Sequence, residues 1–314
     1  IETVRGGGSS LYGSSAIGGV VNVITKIPKE SAFELNSTWQ NINGKANDRI
    51  FTGNGTIVGK DSKNIGASFF INNRNREYYD HNEDNYSELP ALRNNSFGTN
   101  LFLLPRKNHK LEVSLSSINE YRYGGEMVKK AAYLTQQSEE RTHNTLLGSM
   151  DYRIDFNNDS SSLITYFSGQ KTNRDHYTGV LPDDSLELLN HFENSPYGVS
   201  TTITFQGGMQ FNHQVKKFIT GTNIFTVGAE YLMDDVLDVI DSYNYKIDQT
   251  TQNIGAFLQS DWMLLPKLNL LTGIRADKHN LVDNLVISPR VSALYKYKKS
   301  TQFRLTYSLS LIHI

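Results

Sequence analysis

Apolar and polar residues alternate one for one along most of this chain, in stretches longer than a soluble sheet uses. Phe33, Leu35 and Trp39 alternate with Glu34, Asn36 and Thr38, and Ile65, Ala67, Phe69 and Ile71 follow the same rule. The pattern returns in Leu146, Met150, Tyr152, Ile154 and Phe156, in Ile203, Phe205, Met209 and Phe211, and in Phe225, Val227, Ala229 and Tyr231. It recurs near the end in Leu268, Leu270 and Ile274 and then in Phe303, Leu305 and Tyr307. A period of two is the signature of a strand with one apolar face. Strands are expected near 32–41, 48–58, 65–74, 95–104, 109–120, 144–156, 161–172, 199–214, 223–235, 251–264, 268–279, 287–297 and 302–308. Soluble strands run about 5–6 residues, whereas a tilted membrane-crossing strand needs about 9–11. The lengths favour a membrane.

The connections point the same way. Short polar turns at 59–64, 105–108, 157–160, 215–222, 265–267 and 298–301 alternate with longer segments at 73–94, 121–143, 173–198, 236–250 and 278–286, with 42–47 the one short exception. A transmembrane barrel of the outer-membrane type has short turns on its periplasmic side and longer loops outside. The expected fold is therefore all-β, an antiparallel transmembrane barrel wall. No apolar run reaches the roughly 18 residues of a membrane helix. Mean hydropathy is only -0.44, which a barrel tolerates because every second residue faces away from lipid.

Composition removes other classes. The formal net charge is -1 and no basic stripe stands out, so nucleic acid is not an expected partner. There are no cysteines, which excludes disulfides, thiolate metal sites and cysteine nucleophiles. The eight histidines are dispersed, with no H-E-x-x-H spacing. His176 and His191 are expected to share one outer loop. No cofactor and no enzymatic activity are expected.

The first 26 residues break the pattern. Glycine takes 6 of positions 6–19, and the β-branched run Val20, Val21, Val23, Ile24, Thr25 follows. Neither Gly-Lys-Ser/Thr nor G-x-G-x-x-G occurs there, which disfavours a phosphate cradle. The words Val4-Arg5-Gly6, Ser9-Ser10-Leu11-Tyr12-Gly13, Ala16-Ile17-Gly18-Gly19 and Val21-Asn22-Val23-Ile24-Thr25-Lys26 resemble the C-terminal end of the plug domain of TonB-dependent outer-membrane transporters. Ser288-Pro289-Arg290-Val291-Ser292-Ala293-Leu294-Tyr295-Lys296 and Gly273-Ile274-Arg275-Ala276-Asp277 resemble barrel strands of that family. Gly7 departs from it, where proline is frequent.

The resemblance implies a plug end over residues 1–31 and a partial transmembrane barrel over 32–314. It implies a whole barrel of about 22 strands, so that about nine would follow this piece and a signal sequence, a TonB-contacting box and most of the plug would precede it. It also implies energy-coupled uptake of a scarce nutrient across the bacterial outer membrane, driven through the TonB protein. A ferric siderophore, cobalamin or haem is the expected cargo. A passive porin or barrel adhesin is the alternative; residues 1–26 disfavour it, since a porin has no plug. Residues 309–314 follow Arg304-Leu305-Thr306-Tyr307-Ser308 where the family continues differently, and are expected to be non-native.

Several residues are marked for function. Arg5, Gly6, Tyr12, Gly13, Gly18, Gly19 and Asn22 form the plug motif. Arg5 is a candidate ion-pair partner of Glu230, which alternation places on the lumen side between Ala229 and Tyr231. Arg275, Asp277 and Arg290 are expected to line the lumen. Tyr78, Tyr79, Tyr86, Tyr121 and Tyr123 are candidate cargo-contacting aromatics, with an interfacial girdle as the competing role for Tyr121 and Tyr123. Asp80, Asn82 and Asp84 have the two-residue spacing of a calcium loop, but the sixth position is Asn85 rather than glycine, so a hydrated loop is the simpler reading.

Overall fold

In a computed structural model of the chain, residues 2–5, 19–22, 27–60, 63–298 and 301–309 are described. Two short strands, β1 (Glu2–Arg5) and β2 (Gly19–Asn22), pair antiparallel with Arg5 opposite Gly19. The remaining strands form one thirteen-stranded antiparallel sheet in strict sequence order. They are β3 (Ala32–Ile42), β4 (Ala46–Val58), β5 (Ile65–Arg76), β6 (Ala91–Leu103), β7 (His109–Gly125), β8 (Gln137–Phe156) and β9 (Ser161–Val180). Then come β10 (Gly198–Val215), β11 (Thr222–Ile240), β12 (Tyr245–Leu265), β13 (Leu268–His279), β14 (Val286–Lys298) and β15 (Thr301–Ser308). One helix, α1 (Ser185–Glu193), lies between β9 and β10, its first turn capped by the Asp184 carboxylate. No described helix is long and apolar enough to cross a membrane.

The sheet has one apolar and one polar face, because paired residues in an antiparallel ladder point the same way. Leu101, Leu115, Leu146, Met209, Ile254 and Leu258 are all more than half exposed on the apolar face. Only nine hydrophobic residues are buried among those described. A fully buried leucine gains about 2 kcal/mol, so a face of this kind requires an apolar surrounding that the chain does not itself supply.

The expected strands agree with the structure closely at one rim only. At the short-turn ends the boundaries match to within about a residue. At the other rim β7, β8, β9, β11 and β12 run well past the expected ends, β8 beginning at Gln137 and β9 continuing to Val180, while β10 begins at Gly198, within a residue of expectation. The connections there shrink to 77–90, 126–136, 181–197, 241–244 and 280–285. The expected long segment at 236–250 is a four-residue turn with Asn244 at φ +49°. The strict alternation of short and long connections is therefore corrected. Hydrogen bonding continues beyond the apolar band, but the side chains there no longer alternate apolar with polar, as Gln137–His143 and Asn173–Val180 show.

Candidate functional site

Two constellations stand on the polar face. The first lies on one register row that runs Tyr166, Gly208, Glu230, Gly255, Asp277 across β9 to β13. Tyr166 donates its hydroxyl proton to Glu230 Oε2 at 3.0 Å. From the opposite side the Arg275 guanidinium donates to Glu230 Oε1. Arg275 also donates from Nε to both carboxylate oxygens of Asp277, at 2.9 and 2.8 Å, and from Nη2 to Oδ1 at 2.7 Å. Asn253 completes Asp277 with an amide donation at 3.0 Å, and the Phe257 ring lies 5.9 Å below the guanidinium carbon.

The two glycines make this row work. A Cβ on Gly208 would stand 2.5 Å from the Tyr166 hydroxyl, and one on Gly255 would stand 2.1 Å from Arg275 Nη2. Each is a gap through which a long side chain crosses a strand to reach Glu230. Arg275 is 1% exposed and Asp277 3%. A buried cation is tolerable only when paired in this way. Arg290 is also buried on this face. Register places Arg275, Asp277, Arg290 and Glu230, expected to face the lumen, on one face of the sheet. For Arg5 the backbone alone is described, and Gly6, Tyr12, Gly13 and Gly18 lie outside the described residues, as does most of the segment expected to be a plug.

The second constellation is a cationic row nearer the long-connection rim. Register places Arg76, Leu92, Arg122, Arg141 and His176 on five consecutive strands, β5 to β9. Neighbouring strands are about 4.8 Å apart, so three guanidinium groups and an imidazole share one band. Arg141 is paired with Glu139 at 2.9 Å and His176 with Asp238 at 3.0 Å. Arg122 has only a 4.0 Å contact to Glu120, and Arg76 donates to the Pro90 carbonyl at 3.0 Å. Beside this row opens a cavity of about 550 Å³, lined by Tyr86, Pro90, Arg122, Gly124, Glu139 and Val180 among others. Of this row only His176 was singled out from sequence, as an outer-loop residue, because all four polar members fall in segments expected to be loops.

The marked tyrosines separate. Tyr86 borders that cavity, and Tyr78 is 37% exposed. Tyr79 and Tyr123 are 7% exposed and present no open ring face. Tyr123 is packed with Ala132 and Tyr177 on the apolar side of the strand extensions, against Tyr121, Tyr133 and Tyr197. Glu140 accepts a hydrogen bond from the Tyr121 hydroxyl at 2.8 Å and another from the Tyr197 hydroxyl. Burial, and then the Glu140 hydrogen bond, push the Tyr197 phenol well above its ordinary range. His191, on α1, is buried against Tyr133 and Tyr177, with Nε2 2.7 Å from the Tyr133 carbonyl. The expectation that His176 and His191 share a loop is corrected: His176 is a strand residue of the polar-face row, and His191 a helix residue of this cluster.

In the 77–90 loop, carboxylate oxygens of Asp80, Asp84 and Glu88 come within 4.8 Å of one another. Asn82 donates its side-chain amide to the Asp84 carboxylate at 2.9 Å and accepts from the Asp84 backbone amide through Oδ1 at 3.2 Å. Asp80 is used by the backbone amides of Glu83 and Asn85, at 2.6 and 2.8 Å.

Comparison with known proteins gives a consistent result. Residues 32–311 match the family model described as TonB dependent receptor-like, beta-barrel. No curated protein sequence matches the chain. Among solved structures, the chain is similar to a mutant ferric enterobactin receptor (PfeA) from Pseudomonas aeruginosa in complex with enterobactin, at TM-score 0.75 and 15% identity over 98% of this chain and 48% of that one. It is similar to the ferric-catecholate import receptor Fiu from E. coli K12 at TM-score 0.73 and 10% identity, over 98% of this chain and 59% of that one. The siderophore receptor PirA from Pseudomonas aeruginosa follows at TM-score 0.69 and 14% identity, over 95% and 46%. The chain spans about half the length of these structures, and at such identities the likeness shows the fold.

Proposed function

Because this chain belongs to the family of TonB-dependent receptor-like β-barrels, we propose that its thirteen strands are wall strands of an outer-membrane receptor that imports an anionic metal chelate of the siderophore class. In this reading residues 32–314 form barrel wall, residues 1–31 are the end of a plug, and energy comes from contact with TonB. The polar face lines the lumen, the apolar face meets lipid, and the short-turn rim is periplasmic. Binding and a driven conformational step suffice; no covalent chemistry is invoked.

The row Arg76, Arg122, Arg141 and His176 carries the choice of cargo. Arg122 lines the cavity, Arg76 and Arg141 share its band, and guanidinium forks match the geometry of a multiply charged oxyanion. Cobalamin carries little net charge and gains little from such a band. The names of the solved neighbours, which speak of siderophores, enterobactin and ferric catecholates, support the same class.

The test is uptake of labelled iron by cells carrying the full-length gene, with and without TonB, offered as ferric catecholate, haem or neither. Arg122→Gln together with Arg141→Gln is expected to weaken binding of the anionic chelate about tenfold or more, on the order of 1.5–3 kcal/mol for charge-assisted contacts. Uptake that persists without TonB, or a double variant that binds the chelate as well as the parent, contradicts the reading.

A further inference from the structure

The two rims carry opposite charge. Among the described residues of the short-turn connections there are seven lysines and arginines and one carboxylate, Asp159. The connections of the other rim carry twelve carboxylates and three lysines. One short turn, 216–221, adds an apolar feature to this charge. Its Ile219 is 83% exposed and sits at φ +53°, a conformation that β-branched residues avoid.

The turn is held in a fixed pose. Phe218 packs edge-on against Phe225 and Trp262, with ring centroids at 5.2 and 5.4 Å. Trp262 Nε1 donates to the Thr220 carbonyl at 2.7 Å, and the Phe218 amide donates to the Gly221 carbonyl at 3.1 Å. Gly221 has φ +76°, and a Cβ there would stand 1.9 Å from the Met263 carbonyl oxygen. Phe225 and Trp262 belong to the apolar face by register, as Val227 and Leu258 do. The turn therefore bends toward the lipid side of the wall, presenting Ile219 with the exposed Lys216 and Lys217 beside it.

We propose that the 216–221 turn anchors the wall in the periplasmic leaflet, Ile219 entering the acyl region while Lys216 and Lys217 hold an anionic phospholipid headgroup. The occupant follows from continuity with the apolar face and from charge complementarity. Aromatic side chains on the apolar face with two exposed lysines beside them match the pairing of membrane interface and lipid phosphate. The proposal rests on the outer-membrane reading above.

The test uses the purified, delipidated full-length receptor. Flotation with vesicles first establishes that it inserts; failure there removes the outer-membrane reading and this proposal with it. Native mass spectrometry then follows titration with phosphatidylglycerol or phosphatidylcholine. The parent is expected to prefer phosphatidylglycerol. Lys216→Gln with Lys217→Gln should weaken the tightest-bound phosphatidylglycerol about thirtyfold, each lysine near an anionic leaflet contributing about fivefold. Ile219→Asn, which suits a positive φ, should lower retention of both lipids. A double variant that holds phosphatidylglycerol like the parent overturns the proposal. So does displacement of the lipid from the parent by peptidoglycan fragments or by a periplasmic protein.

Discussion

Tyr166 reaches Glu230 across the whole width of an intervening strand, its hydroxyl 3.0 Å from the carboxylate, because Gly208 between them has no side chain. Gly255 does the same for Arg275 on the other side. Substituting either glycine should break a specific hydrogen bond rather than merely crowd the wall. Gly208→Val should cost about 1.5–3 kcal/mol, the loss of one charge-assisted hydrogen bond. Denaturant unfolding of the full-length receptor in vesicles measures it. In a Tyr166→Phe background most of that cost should vanish; if it persists, Gly208 acts by some other means.

Gly255→Ala is expected to be worse, about 3–5 kcal/mol, because the atoms it displaces belong to a buried ion pair. The same unfolding experiment reads this. Glu230→Gln should fall between the two, since the amide still accepts from Tyr166 while the charge facing Arg275 is lost.

The rim cluster predicts coupled motion. His191→Ala removes the contact between α1 and the Tyr133 carbonyl. Amide hydrogen exchange should then quicken in 181–197 and in 126–136 together, with β8 and β9 protected as before. Exchange that quickens in only one of the two connections would mean that His191 does not join them.

A pH response follows from the exposed Lys45–Glu83 pair, at 2.6 Å. The Lys45 hydrogen bond holds the Glu83 carboxylate below its usual range, and the Glu83 hydrogen bond holds Lys45 above its own. A depressed carboxylate contributes above its unfolded pKa, about 4.3, and loses that contribution as pH falls through the folded value. A raised ammonium contributes below its unfolded pKa, about 10.4, and loses it as pH rises through the folded value. The tether between the 43–45 turn and the 77–90 loop is thus present in the window between. NMR titration of labelled glutamate should find Glu83 returning to the ordinary carboxylate range in Lys45→Gln.

Much of the wall was legible in sequence. Alternation alone put Glu230, Arg275, Asp277 and Arg290 on one face, since parity needs no knowledge of the neighbouring strand. Register was not legible, so Gly208, Gly255, Tyr166 and Asn253 could not be joined to them. Arg76, Arg122, Arg141 and His176 were hidden for a different reason. They lie where the strands have left the apolar band, and there the pattern that reveals a strand has stopped while its hydrogen bonds have not. Tyr123 and Tyr177 are buried by the connections folded over them, a long-range contact that no local pattern encodes.

The overlong strands have one more consequence. β12 has 21 residues, which at about 3.3 Å each and a tilt near 40° is a height of roughly 50 Å, against an apolar band of roughly 25 Å. Where β7 to β12 stand, the sheet therefore rises beyond the apolar band by about the height of the membrane core again. In the proposed receptor, a ligand taken at that rim would cross the length of this extension before it reached the plane of the lipid.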